Sequence, residues 1–139
     1  MMAWGLLISF FVYAKEDGQI RLKVNGVRSQ KGHVLISVFS SARGWPKRPS
    51  QAARVASLPA NTKELIKNFS GLEVGRYAVA MIHDENDNHT LDVDENGKPT
   101  EGIGFSNNPT LNKGPASFMQ SSFELKSPAT ELRVNFSYP

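Results

Sequence analysis

Ile20, Leu22 and Val24 alternate with polar neighbours and stop at Asn25-Gly26, a turn dipeptide. Val34, Ile36 and Val38 repeat the alternation ahead of the loop Ser40-Ser41-Ala42-Arg43-Gly44-Trp45-Pro46. A period of two puts every second side chain on one face, so both runs read as strands with one buried side. Weaker runs occupy residues 53–58 and 64–69. Residues 76–83 differ in kind: Tyr77, Val79 and Met81 share one face, and Ala78, Ala80 and Ile82 share the other. A strand apolar on both faces belongs in the middle of a covered sheet. Residues 118–125 and the alternation Leu132, Val134, Phe136 close the series. Seven short runs with Gly, Pro and Asn between them, and no long amphipathic helix, predict an all-β fold. The expected form is a single antiparallel seven-strand sandwich with one long connection at about residues 84–115. Structureless loops beyond about 12–15 residues are usually functional or disordered.

That connection concentrates the charge. From His83 to Glu101 it carries Asp84, Glu85, Asp87, Asp92, Asp94, Glu95 and Glu101 against Lys98 alone. Seven of the thirteen acids thus lie in nineteen positions, a segment of −6 in a body of +9. The acids are also spaced. Counting Asp84 as position 1 of a twelve-residue loop, Asn86, Asn88, Asp92 and Glu95 fall at 3, 5, 9 and 12, with Leu91 at 8. Calcium loops of the EF-hand type wrap a hard cation in alternate oxygens and close the shell with a terminal carboxylate. A backbone carbonyl near Thr90 would supply one more oxygen. Position 6 normally holds glycine, and here it is His89. A second frame starts at Asp92, with Asp94, Asn96 and Gly97 at positions 3, 5 and 6, but its position 12 is Ile103, which cannot ligate. The expected ligands are therefore Asp84, Asn86, Asn88, Thr90, Asp92, Asp94 and Glu95, and the expected ion is calcium. A flexible many-oxygen loop suits calcium better than magnesium. Zinc would have to draw on His83 and His89 in a chain without cysteine, a poor match to its usual ligands.

The first fourteen residues bear on location. They are uncharged and run through Trp4, Leu6, Leu7, Ile8, Phe10, Phe11 and Val12 to Val12-Tyr13-Ala14, followed by the polar Lys15-Glu16-Asp17. This predicts a signal peptide over 1–14, although the usual basic start is missing. The stretch is short of the roughly 20 residues that span a bilayer. Export to the periplasm or medium follows, leaving residues 15–139 as one domain with no transmembrane segment and no disulfide. A net charge of +3 with no basic stripe interleaved by aromatics excludes nucleic acid as the expected partner.

Gly71-Leu72-Glu73-Val74-Gly75-Arg76-Tyr77-Ala78-Val79-Ala80, then His83-Asp84-Glu85-Asn86, then the run from Gly97 to Asn108, resemble the bacterial "domain of unknown function 2141" family. The likeness extends from about Ile20 to Tyr138, and its specific part is His83 to Asn108. A similar turn enters a central strand in transthyretin-like and collagen-adhesin B-type sandwiches. The resemblance implies an exported sandwich of Ig-like or prealbumin-like architecture and no established reaction. It also implies glycine at the position of His89, and hence weaker ion affinity in this chain.

Other constellations point less far. Gly104-Phe105-Ser106-Asn107-Asn108 matches only the first half of a nucleophile elbow, which requires G-x-S-x-G. Arg43, Lys47 and Arg48 surround Trp45, a pattern that meets anionic glycans or lipid headgroups when the ring is free and is merely solvated when the ring caps the sandwich. Two functions are expected. One is a non-enzymatic envelope module with a calcium-stabilised loop, binding or bracing a protein or glycan. The other is a small envelope-polymer hydrolase using loop carboxylates such as Asp94 and Glu101. No positioned nucleophile or His–acid pair supports catalysis, so the first is preferred.

Overall fold

A computed structural model describes residues 4–10, 16–112 and 114–139. The expected cleavage site at residues 12–14, and Lys15 after it, lie outside the described residues. Residues 4–10 form no helix or strand and are exposed. Among the described residues no helix is long and apolar enough to cross a membrane.

Among the described residues the fold is all-β, with eight strands in two sheets. They are β1 (Asp17–Asn25), β2 (His33–Phe39), β3 (Arg54–Pro59), β4 (Leu65–Glu73), β5 (Gly75–Asp84), β6 (Gly102–Phe105), β7 (Ser122–Leu125) and β8 (Thr130–Asn135). One sheet has the order β4-β1-β8. The other has the order β3-β2-β5-β6, with β7 also on β5. The alternating side chains meet between the sheets: Ile20, Leu22 and Val24 from β1, Val34, Ile36 and Val38 from β2, and Tyr77, Val79 and Met81 from β5. Removing each such side chain from water contributes about 1.5–3 kcal/mol, and this common core holds the two layers together.

The two-faced strand sits where its composition requires. The first half of β5 pairs with β7 (Ala78 opposite Ser122) and the second half with β6 (Ala80 opposite Phe105), while β2 pairs with its other edge from Ala78 to Asp84. Its second apolar face is covered by a smaller cluster in which Ala80, Phe105 and Ala116 pack with Trp45, Ile103 and Leu111.

Three expectations are corrected. The strands number eight because the connection expected over 84–115 contains β6. Gly102-Ile103-Gly104-Phe105 has two glycines and low strand propensity, and the neighbouring structure imposes the pairing. Residues 118–125 are not one strand: Phe118–Ser121 is a helical turn, α1, and β7 begins after it. The cause is a capping box. The Ser117 side chain accepts the Gln120 N–H, and the Gln120 side chain accepts the Ser117 N–H. Nor is the pairing wholly antiparallel. β8 lies parallel to β1, from Ile20 opposite Thr130 to Asn25 opposite Asn135, because the chain changes sheet between β7 and β8.

Candidate functional site

The acidic loop spans the gap from the end of β5 to the start of β6 and folds as two successive turns. In the first, the Asp84 carboxylate accepts the N–H groups of Asn88 (3.2 Å) and His89 (2.9 Å). The Asn86 side-chain oxygen also accepts Asn88 N–H, at 3.3 Å, and that of Asn88 accepts Thr90 N–H at 3.1 Å. The carboxamide nitrogens of Asn86 and Asn88 both donate to Asp92, one to each carboxylate oxygen. Asp92 thus joins the Asn86 and Asn88 side chains, and Asp84 meets the same turn through the Asn88 and His89 N–H groups. The turn closes through left-handed conformations at Asp87 (φ 53°) and His89 (φ 63°), residue types that tolerate this region better than most.

The second turn is separate. Asp94 accepts the N–H groups of Asn96 (2.8 Å) and Lys98 (2.9 Å), Gly97 takes φ 79°, and Val93 bridges Pro99. Glu95 is exposed within it and has no side-chain partner among the described residues. Of the expected ligands, then, Asp84, Asn86, Asn88 and Asp92 come together. Thr90 lies beside them, while Asp94 and Glu95 stand in the neighbouring turn. Among the described residues no three His, Asp or Glu side chains form a metal-holding group.

Glu101, which the spacing argument passes over, anchors the loop. It is 5 % exposed, and its two oxygens accept Glu85 N–H (2.8 Å) and Asp92 N–H (3.0 Å). One carboxylate therefore ties the start of the first turn to its end. Asp94 and Glu101, the carboxylates considered for hydrolysis, accept from different stretches of backbone.

The β1–β2 connection supplies the counter-charge that the local sequence lacks. Arg28 pairs with Glu85 through Nε (3.0 Å) and Nη2, and Ser29 Oγ donates to the same carboxylate at 2.9 Å. His33 Nδ1 meets Asp87 Oδ1 at 2.6 Å. The hydrogen bond from Arg28, with that from Ser29, holds the Glu85 carboxyl below the ordinary glutamate range and outweighs its partial burial. A depressed carboxyl stabilises the fold above its unfolded value, and that contribution is lost as pH falls through the folded value. Acid should therefore erode stability from about pH 4.5 downward, and Glu85→Gln should flatten that part of the profile. Melting temperatures of the two proteins at pH 3–6 check this; parallel curves would remove Glu85 from the account.

His83 and Ser106 are structural. His83 is fully buried; Nε2 faces the Lys31 carbonyl at 2.8 Å and Nδ1 the Tyr138 hydroxyl at 2.7 Å, so neither nitrogen is free for a metal. Ser106 is also fully buried. Its Oγ accepts Val79 N–H at 2.8 Å and donates to the Ser121 carbonyl, which leaves no proton for a catalytic base. Trp45 caps its end of the sheet, donating Nε1–H to the Ala116 carbonyl at 2.8 Å and packing on Phe39, Phe105 and Phe118. Arg43, Lys47 and Arg48 beside it are exposed.

A family model described as "uncharacterized protein conserved in bacteria (DUF2141)" matches residues 22–133, which include the whole acidic loop. No curated protein and no solved structure matches the chain.

Proposed function

We propose that this chain, which belongs to the bacterial family domain of unknown function 2141, is an exported, non-enzymatic module whose acidic loop is ordered by calcium and which binds or braces a protein or glycan of the cell envelope. The observation that carries this reading is the gathering of Asn86 and Asn88 on Asp92 and of the Asn88 and His89 N–H groups on Asp84 in one turn, with His89 already left-handed. Calcium accepts amide and backbone oxygens as readily as carboxylates, so a site of two acids and two asparagines suits it. The amide nitrogens of Asn86 and Asn88 that now satisfy Asp92 would turn away, and their oxygens would face the ion. Thr90 would add a backbone oxygen, and Asp94 and Glu95 would complete the shell only by folding in from the neighbouring turn. The finer architecture we assign is Ig-like or prealbumin-like, as the two sheets and the turn into β5 suggest. Export rests on the apolar residues 1–14.

A ligand that binds only the folded state stabilises it by about 2.7 kcal/mol at one hundred times Kd. Millimolar calcium should raise the melting temperature by a few degrees, EDTA should reverse the rise, and magnesium should do much less. Asp92→Asn should abolish the increment, because Asp92 belongs to both frames and receives both asparagines. His89→Gly should enlarge it by relieving the backbone. Asp84→Ala is the poorer test, since Asp84 caps the turn and its loss destabilises the protein without any ion. Equal melting of wild type and Asp92→Asn across calcium concentrations would end the proposal.

A further inference from the structure

The segment that follows β8 is tied to the acidic loop by an unbroken series of contacts. Ser137 exchanges both backbone hydrogen bonds with Ile103 on β6, at 2.8 and 3.0 Å. The next residue, Tyr138, lays its ring against Gly102, where any Cβ would come within 2.5–3.0 Å of ring atoms. Its hydroxyl lies between two partners. The Lys31 carbonyl can only accept, so His83 Nε2 carries the hydrogen and Nδ1 accepts. Tyr138 therefore gives its proton to Nδ1 at 2.7 Å and takes the Arg28 N–H at 3.0 Å. The guanidinium of Arg28 lies over the same ring, 4.5 Å from its centroid, and pairs with Glu85. Glu85 N–H in turn binds Glu101, whose other oxygen holds Asp92.

We infer that residues 136–138 form a strap whose seating sets the order of the acidic loop, so that anything lifting Tyr138 from Gly102 loosens the first turn. Each contact in the series has the next as its support. Lifting the ring leaves His83 Nδ1 and the Arg28 N–H without partners and removes the surface on which the Arg28 guanidinium rests. Glu85 then loses the orientation that presents its N–H to Glu101. The device operates with or without an ion in the loop, and it makes the strap a place where a bound partner would act on the loop at a distance.

Coupling of this kind is reciprocal, and the test uses both directions. Tyr138→Ala takes the ring away from Gly102 and from under Arg28 and so unseats the strap. Amide hydrogen exchange measured in EDTA should then quicken at least tenfold at Glu85, His89 and Asp92, while the amides of β1 and β2 keep their wild-type protection. Glu101→Gln breaks the loop anchor without touching the strap, and it should speed exchange of the Ser137 amide. The inference is overturned if the loop amides of Tyr138→Ala keep wild-type rates, or if every amide quickens by one factor, which would mean general destabilisation. It is overturned equally if Glu101→Gln leaves Ser137 unmoved. Because the measurement contains no calcium, failure here and failure of the calcium reading are separate results.

Discussion

Gly32→Ala should be among the most damaging single substitutions in this protein, lowering unfolding free energy by more than about 3 kcal/mol, the range reserved for severe mechanisms. Two costs coincide there. Gly32 has φ 65°, where an L side chain is strained by about 1–2 kcal/mol. An added Cβ would also lie 1.9 Å from the Asp84 carbonyl oxygen and 2.9 Å from the Asp84 and Glu85 carbonyl carbons. Backbone cannot swing aside as a flexible side chain does. Relief requires separating the β1–β2 connection from the end of β5, which also disturbs the Ala60 N–H bond to the Gly32 carbonyl. Gly71 is the control. It has nearly the same φ, 67°, with nothing within 4 Å of the added Cβ, so Gly71→Ala should cost only about 1–2 kcal/mol. Urea unfolding of both variants measures the difference; equal costs would show that the approach of residue 32 to Asp84 is looser than described.

Trp45→Ala should cost about 3–5 kcal/mol, the usual range for deleting a large aromatic from a packed cluster. Its ring contacts Phe39, Phe105 and Phe118 at centroid separations of 5.3, 5.7 and 5.9 Å. The cluster covers the outer face of β5 at Ala80 and fixes the chain that follows β6. Trp45→Phe keeps much of the packing and loses the Nε1–H bond, leaving the Ala116 carbonyl short of a partner, so it should cost about 1–3 kcal/mol. If Trp45→Ala unfolds at nearly the wild-type urea concentration, the residue is a surface ring and the basic residues around it regain interest as a binding loop.

How far the sequence reaches depends on what each residue answers to. β1, β2 and β5 follow from side-chain alternation because the same side chains that define the pattern fill the core. β6 does not, because its glycines serve neighbours remote in sequence: Gly102 makes room for Tyr138, thirty-six positions later. The turn at Phe118–Ser121 is encoded by Ser117 and Gln120, whose spacing is a helix-start signature, but the apolar Phe118 and Phe123 in the same stretch also fit a strand. In the acidic loop the residue at position 6 of the frame is left-handed, whereas Glu95 at position 12 stands in the second turn. The anchor, Glu101, lies outside the twelve-residue frame, and its value comes from burial at the loop's base, which no local pattern encodes. Arg28 and Tyr138 are likewise invisible to local reading, since they reach the site from opposite ends of the chain.

Calcium titration of the domain spanning residues 15–139, followed by isothermal calorimetry against an EDTA-treated sample, tests the central claim most directly. Saturable binding with Kd of about 10⁻⁴–10⁻³ M, the range of extracellular calcium modules, is the predicted result, with Asp92→Asn abolishing it and magnesium failing to compete. A featureless titration at 10 mM calcium, roughly ten times the upper end of that range, would mean that Asp84, Asn86, Asn88 and Asp92 form a self-sufficient polar turn and that the loop is acidic for another reason.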